Sequence, residues 1–379
     1  MRLGSHELKL EKRFTITSWQ AALISILAIL IALALFSILF LLAGINPLYA
    51  YQEIFSYAFA NPFGLPLALN RFIFLLFCTC AFIIPYRAGL WNIGVAGQLY
   101  AGALGVFAIV VAFGGKAFNS NLSPGLLIPF MLIASALGGA LLGAIAGFLK
   151  GRFNVNEIVV TMMLNFITFW LVSFMIKEGG LFMKSGGEGD GFELPSSLFA
   201  PMIIGIPFTI FIALGLALLL YYMFAKTKIG YQIKAYGQNP AAARYAGISP
   251  FRIPLLVFIM GGALAGLAGY HYFAAVPGLY KIPVNYGYFG DLAFYGIICG
   301  LISLGNPLAA IPVALLFGGL SVGGRFVQGQ LHMSFGVDYA LLGVLMITLV
   351  AFQFFYRYKI VWVKSRKERI DVGIPYQES

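Results

Sequence analysis

Long apolar runs dominate the chain, broken by short polar segments that carry glycine or proline. About 20 consecutive apolar residues suffice to cross the hydrocarbon core of a bilayer as a helix. Ten stretches meet or approach that length: 19–43, 66–85, 97–113, 125–148, 157–176, 201–225, 253–275, 291–304, 306–324 and 338–356. Residues 46–63, with Pro47, Glu53 and Pro62, are amphipathic and predict a helix lying at the membrane interface. The first run is far longer than the roughly 7–15 residues of a cleavable signal core, so it reads as a retained span. The pattern predicts an all-α polytopic membrane protein of about ten helices. A transmembrane domain over 19–356 is flanked by tails at 1–18 and 357–379.

Composition agrees with that pattern. Of 379 residues, 61% are hydrophobic and only 10% are charged, against roughly 25% charged in soluble domains. So little charge cannot cover so much apolar surface in water, and disorder needs the opposite balance. A net charge of +11 could indicate a nucleic-acid partner or a membrane topology signal. Placement decides for topology. With ten spans both ends share a side, and that side collects 18 of the 24 basic residues against five on the other. Cytoplasmic loops carry the basic excess, so both termini are expected in the cytoplasm and no nucleic-acid partner is implied. Cys78, Cys80 and Cys299 lie in apolar runs and read as small buried hydrophobes, with no metal site.

A repeat lies inside the membrane segments. Residues 92–99 and 285–292 share N-x-G-x-x-G-[QD]-L, at Asn92, Gly94, Gly97, Gln98 and Leu99 and at Asn285, Gly287, Gly290, Asp291 and Leu292. Each copy precedes a short apolar segment, and the two copies sit in halves of inverted topology. Paired glycine-interrupted segments in inverted halves point to a transport site, where freed backbone groups face a cavity. Asp291, at the start of a half-length helix, could cap that helix or contact a ligand.

Other polar residues fall within spans. Glu157, Thr161 and Asn165 are spaced four apart and form one stripe, read either as pathway lining or as interhelical bonding. Glu157 could instead pair with Arg152. His271, between two tyrosines, reads as packing or as a proton relay. Ser135, Gly139, Gly143 and Gly147 form a small-residue ladder for close helix approach. The outer loop 177–200 is glycine-rich and reads as a flexible linker. The inner loop 226–252 has five basic and no acidic residues, with a short helix expected after Asn239-Pro240 and stopped by Gly247. That helix either docks a partner or lies on headgroups. No nucleotide-binding G-x-x-x-x-G-K-[ST] and no hydrolase motif is present, so the chain is not expected to be an enzyme or to need a cofactor.

YRAGLWNIGVAGQLYAGAL (86–104), NEIVVTMMLNFI (156–167) and YGQNPAAARYAGIS (236–249) together resemble the permease subunit of bacterial nucleoside ABC importers. These belong with the ribose and branched-chain amino-acid permeases. The resemblance implies a type II importer fold in the inner membrane, a second permease subunit and a separate cytoplasmic ATPase. It also implies a lipoprotein or periplasmic receptor that delivers substrate. The 241–247 segment resembles the E-A-A-x-x-x-G coupling loop through Ala242, Ala243 and Gly247, with Ala241 in place of Glu. Gln238, Asn239, Pro240 and Arg244 complete the expected ATPase contact. Asn92, Gln98, Glu157, Thr161, Asn165 and Asn285 are the expected pathway groups, with Trp91, Tyr288 and Phe289 as aromatics for stacking on a base. A monosaccharide ABC permease and an ion-coupled secondary transporter are the alternatives.

Overall fold

The computed structural model describes residues 2–3, 6–12, 18–114, 122–177, 179–184, 186, 189–333 and 336–364. The basic residues Arg13, Lys116, Arg366, Lys367 and Arg369, counted for topology, lie outside them. In chain order the elements are β1 (Arg2–Leu3), β2 (His6–Lys12), α1 (Ser18–Leu42), α2 (Pro47–Phe59), α3 (Gly64–Arg87) and α4 (Val95–Gly114). Next come α5 (Pro124–Phe153), α6 (Glu157–Ile176), β3 (Met202–Ile203), β4 (Ile206–Pro207) and α7 (Thr209–Lys226). The chain continues through α8 (Lys228–Gln238), α9 (Pro240–Tyr245), α10 (Arg252–Tyr270), α11 (Gly287–Ile302), α12 (Pro307–Gln330), α13 (Val337–Arg357) and β5 (Tyr358–Lys364).

Among the described residues, nine helices are long and apolar enough to cross a membrane, and Gly290–Ile302 is a shorter apolar helix. Each of the ten expected spans contains a helix, but the one expected over 201–225 is shortened: residues 202–207 form the paired strands β3 and β4, and its helix, α7, begins at Thr209. One expectation changes: the segment after the first repeat copy is not short, because α4 is a full 20 residues, whereas α11 has 16. Three helices start at Asn-Pro, where proline fixes the first helical φ and the asparagine oxygen accepts a first-turn N–H. These are Asn46, Asn239 and Asn306.

The chain divides into two compact units. One comprises residues 1–45 and 343–379. Here the expected tails form secondary structure: β2 pairs antiparallel with β5 and carries β1 on its other edge. Ser25 Oγ and Tyr356 Oη hydrogen-bond at 2.6 Å, and Lys359 pairs with Glu11 at 3.0 Å.

The second unit, residues 46–342, holds the repeat. Within it α5 packs on α10 and α12 on α3, while α4 packs on α10 and α11 on α3. Exchanging α3 with α10, α4 with α11 and α5 with α12 turns each of these contacts into another, as two interleaved repeats require. Glycine permits the closest of them. A Cβ on Gly139 would collide with the Gly262 carbonyl, and one on Gly143 with the Phe258 carbonyl, both on α10. Gly139→Ala should therefore cost about 1–3 kcal/mol through overpacking and lower the unfolding midpoint of the purified protein in detergent. An unchanged midpoint would show that α5 and α10 are not tightly joined there. In α2, Ala50, Ile54 and Ala58 are buried, and Ile54 packs on Gly323 of α12.

The loop after α6 is tethered, not a free linker. Asp190 pairs with Lys281 at 2.6 Å, and the Gly191 and Leu194 N–H groups bond the carbonyls of Ile282 and Tyr280 at 2.9 and 2.8 Å. Phe199 stacks on Tyr280, so apolar and hydrogen-bonding residues between the glycines fix the segment. His271, in a π-turn that ends α10, is fully buried. Its Nε2 bonds the Asn70 carbonyl at 3.0 Å and its Nδ1 bonds Thr209 Oγ1 at 2.8 Å. A carbonyl only accepts, so Nε2 carries the proton and Nδ1 receives the threonine hydroxyl. The ring joins α3, α7 and α10, and both its nitrogens are occupied by packing partners.

Candidate functional site: a cavity between the two repeat copies

The two repeat copies do not unwind at their glycines. Gly94 precedes α4 by one residue, Gly97 and Gln98 lie in its first turn, and Gly287, Gly290 and Asp291 lie within α11. None of the four glycines has a positive φ. The chain breaks earlier, over 88–94 and 276–286, and the glycines serve close approach instead. A Cβ on Gly97 would come within 2.8 Å of Asn165 Oδ1, and one on Gly290 within 3.0 Å of Tyr100 Oη.

Around the first copy the polar side chains satisfy one another. Asn92 and Gln98 are buried and exchange amide hydrogen bonds at 2.9 and 3.2 Å, and Gly94 N–H donates to Asn92 Oδ1 at 3.2 Å. Neither amide is offered to a solute. Asn165, on α6, holds the break from across: its Oδ1 accepts from Gly97 N–H at 2.7 Å and its Nδ2 donates to the Ile93 carbonyl at 2.9 Å. Thr161, one turn earlier, is buried and returns its hydroxyl to the Glu157 carbonyl at 2.7 Å. Its Cβ is 3.0 Å from where a Gly94 side chain would begin. The stripe therefore braces the α3–α4 connection.

Glu157 pairs with Lys150 at 3.0 Å, and not with Arg152, which is exposed. The reason is local: Asn154 ends α5 in the left-handed region at φ 51, which turns the chain so that Lys150 faces the start of α6. Trp91 is exposed, and edge-on to Phe82 and Tyr86 at 5.8 and 6.1 Å.

Around the second copy the expectation for Asp291 is corrected. The helix starts four residues earlier than the aspartate, with Tyr286 at the cap position and no side-chain cap of its own. Asp291 is exposed, well inside the first turns, and cannot cap. Tyr100 of α4 bridges the first turn instead: its Oη accepts from Gly290 N–H at 2.7 Å and donates to the Tyr286 carbonyl at 2.6 Å. Asn285 is exposed in the connection before α11. Tyr288 lies beneath two cations, with Arg71 and Arg325 at 5.7 and 5.0 Å from its ring centre. The side chain of Phe289 lies outside the described residues.

Between the copies lies a cavity of about 450 Å³. Its walls are Ala96 and Tyr100 of α4, Met162, Asn165, Phe166, Phe169 and Trp170 of α6, and Gly287, Gly290, Asp291 and Phe294 of α11. It offers broad aromatic faces with one carboxylate. Of the expected pathway residues it gathers Asn165, beside Gly287, Gly290 and Asp291 of the second repeat copy, and it leaves out Asn92, Gln98, Glu157, Thr161, Asn285, Trp91 and Tyr288. The α6 aromatics were not singled out from sequence, because in an apolar helix they look like lipid-facing residues. Their spacing beside Asn165, on one helical face, was the available signal.

A smaller cavity of about 240 Å³ is lined by Arg71, Arg325, Tyr272 and Asn70. It explains the arginine within the second span. Arg71 donates to Tyr272 Oη at 2.9 Å, and Arg325 pairs with the buried Asp338 at 3.4 Å.

The inner loop carries two helices. Beyond the expected short one, α9, the chain forms α8, whose last turn rests on the α3–α4 connection. A Cβ on Gly237 would collide with the Arg87 carbonyl and come within 3.0 Å of Gly89 N, while Gly89 itself has φ +72. Tyr236 beside it is buried near Glu157, and burial followed by that carboxylate's charge raises its phenol above the usual range. In α9, Asn239 Oδ1 accepts from Ala242 N–H at 3.0 Å, Ala243 is buried, and Gly247 at φ +78 ends the turn. Gln238, Asn239, Pro240, Ala242, Arg244 and Gly247 are exposed.

Residues 64–350 match the family described as branched-chain amino acid transport system, permease component. The chain is 30% identical over 370 residues to the glucose ABC transporter permease protein TsgB13 of Haloferax volcanii, covering 93% of each. It is 30% identical over 315 residues to the nucleoside ABC transporter permease protein NupB of Lactococcus lactis subsp. cremoris, covering 79% of this chain and 83% of that one. Against the guanosine ABC transporter permease protein NupP of Bacillus subtilis it is 28% identical over 311 residues, 79% and 85% of the two chains. With nine span-length apolar helices among the described residues and this match over most of its length, the chain belongs to the family of permease components of branched-chain amino acid transport systems, as a multi-pass membrane subunit of the ABC transporter class.

Proposed function

We propose that this chain forms half of the translocation pathway of an ATP-driven nucleoside importer. It sits in the cytoplasmic membrane with both termini inside. A second permease subunit completes the pathway, and a separate ATPase docks on the exposed face of α9 through Gln238, Asn239, Pro240, Ala242, Arg244 and Gly247, while the buried Ala243 seats the helix from behind. A receptor outside supplies the substrate. The observation that carries the reading is the cavity between the repeat copies. A nucleobase is flat, apolar on its faces and matched to aromatic walls, and a ribose presents hydroxyl donors to the Asp291 carboxylate. Phe166, Phe169 and Trp170 supply the walls. Asn92, Gln98, Thr161 and Asn165 act on the solute indirectly, by holding the connection that shapes the wall, and Glu157 fixes its cytoplasmic end. Asn285, Tyr288, Phe289 and Trp91 flank the route.

ATP closes the ATPase pair, α9 moves, and the paired permeases exchange inward- and outward-open states. The nucleoside-transporting relatives from two bacteria support the substrate class. The glucose permease relative favours a second reading, a monosaccharide importer with the same mechanism. Uptake by proteoliposomes holding the complete transporter separates them. ATP-dependent uptake of radiolabelled guanosine, with glucose in excess failing to compete, is the expected result. Uptake of glucose alone would overturn the nucleoside assignment, and uptake driven by a proton gradient without ATP would overturn the ABC mechanism.

A further inference from the structure

We infer that Tyr100 is a positioning residue for the solute contact at Asp291, pinning the first turn of α11 from across the cavity. The inference rests on the proposed passage of substrate along this cavity. In a regular helix the Gly290 N–H and the Tyr286 carbonyl, four residues apart, face each other across the first turn. No side chain of α11 itself caps this end. The Tyr100 hydroxyl bridges the pair: it accepts from Gly290 N–H at 2.7 Å and donates to the Tyr286 carbonyl at 2.6 Å, pinning the first turn of α11 to α4. Tyr100 is only 2% exposed and meets the Tyr286 ring edge-on at 5.7 Å, so the hydroxyl has little freedom to move. Gly290 is the residue that allows it, since a Cβ there would stand 3.0 Å from the hydroxyl.

The consequence falls on the neighbouring residue. Asp291 follows Gly290 directly, so the bridge fixes the backbone from which the exposed Asp291 carboxylate lines the cavity wall. The first copy of the repeat carries the same bridge by another side chain: Asn165 accepts from Gly97 N–H and donates to the Ile93 carbonyl, the counterparts of Gly290 and Tyr286. The halves differ at the next residue. Gln98 is consumed by Asn92, whereas its counterpart Asp291 stays exposed on the cavity wall.

The test uses the complete transporter in proteoliposomes, with guanosine as the probe. Tyr100→Phe keeps the ring and removes the hydroxyl. Tyr100→Phe and Asp291→Asn should each lower guanosine uptake by about five- to tenfold, and the double variant should be no worse than Asp291→Asn alone. That non-additivity marks action through Asp291, which a merely structural tyrosine would not show. In addition, Gly290→Ala should impair uptake through its methyl against the hydroxyl, and Tyr100→Phe should partly restore it. Multiplying losses in the double variant, or uptake by Tyr100→Phe within about twofold of wild type while Asp291→Asn is impaired, would overturn the inference. Unimpaired uptake by Asp291→Asn would instead overturn the reading of the cavity on which the inference stands. Should Tyr100→Phe fail to assemble, Gly290→Ala alone, compared with Gly290→Ala/Asp291→Asn, decides by the same criterion.

Discussion

Replacing Asn165 by leucine will reduce substrate uptake by about tenfold or more, with the protein still inserted and detectable. Leucine matches asparagine in size but supplies neither of its two hydrogen bonds. Gly97 N–H and the Ile93 carbonyl would both lose their partner, at bonds of 2.7 and 2.9 Å in the native chain. Each group left unsatisfied away from water costs roughly 1–3 kcal/mol. The local structure escapes that cost only by moving, and what moves is the α3–α4 connection that carries Asn92, Gly94 and Gln98. Asn165→Asp is the informative companion: it preserves acceptance from Gly97 N–H but meets the Ile93 carbonyl with a second acceptor, so an intermediate loss is expected. Initial rates of uptake in proteoliposomes, normalised to inserted protein, measure both. Wild-type rates for Asn165→Leu would show that the connection holds its shape without α6, and the bracing role would fall.

The helices were legible because apolar length is a strong and local signal, although apolar residues 202–207, read into a span, form the β3–β4 pair instead. The short helix α9 was legible for a related reason: Asn239-Pro240 and Gly247 are local start and stop chemistry. The pairing of repeat copies was also readable as a pattern, but its physical meaning was not. From sequence, Gly94, Gly97, Gly287 and Gly290 look like points of unwinding. In the fold they are points of approach, which depends on what Asn165 and Tyr100 bring from residues far along the chain. Asp291 illustrates the same limit. Whether an acid near a helix start caps it depends on where the helix begins, and α11 begins four residues before Asp291. The partner of Glu157 was missed because the left-handed Asn154 rotates Lys150, not Arg152, toward it. The cavity itself was the least legible feature, since Phe166, Phe169 and Trp170 differ in no local way from residues that face lipid.

Gly237→Val will uncouple ATP hydrolysis from transport, leaving the assembled complex able to hydrolyse ATP while uptake falls by about tenfold or more. The argument follows the backbone. Docking of an ATPase on α9 would push on exposed residues at Pro240–Tyr245, and α9 joins α8 through the single cap residue Asn239. The far side of α8's last turn lies against Arg87, Ala88 and Gly89, with no space for a β-carbon on Gly237. From Gly89 the chain runs in three residues to Asn92, whose amide is closed on Gln98 in the first turn of α4. A displacement of α8 is therefore delivered, backbone against backbone, to the connection that Asn165 braces and that shapes the cavity. Valine would lift α8 off this seat, so motion of α9 would no longer reach α4. Gly215→Val is the control, because a side chain there meets open space, and it should leave the ratio of uptake to hydrolysis unchanged. If Gly237→Val kept that ratio as well, the mechanical route would have to run elsewhere, through the contacts of α8 with α3 and α10 rather than through the glycine seat.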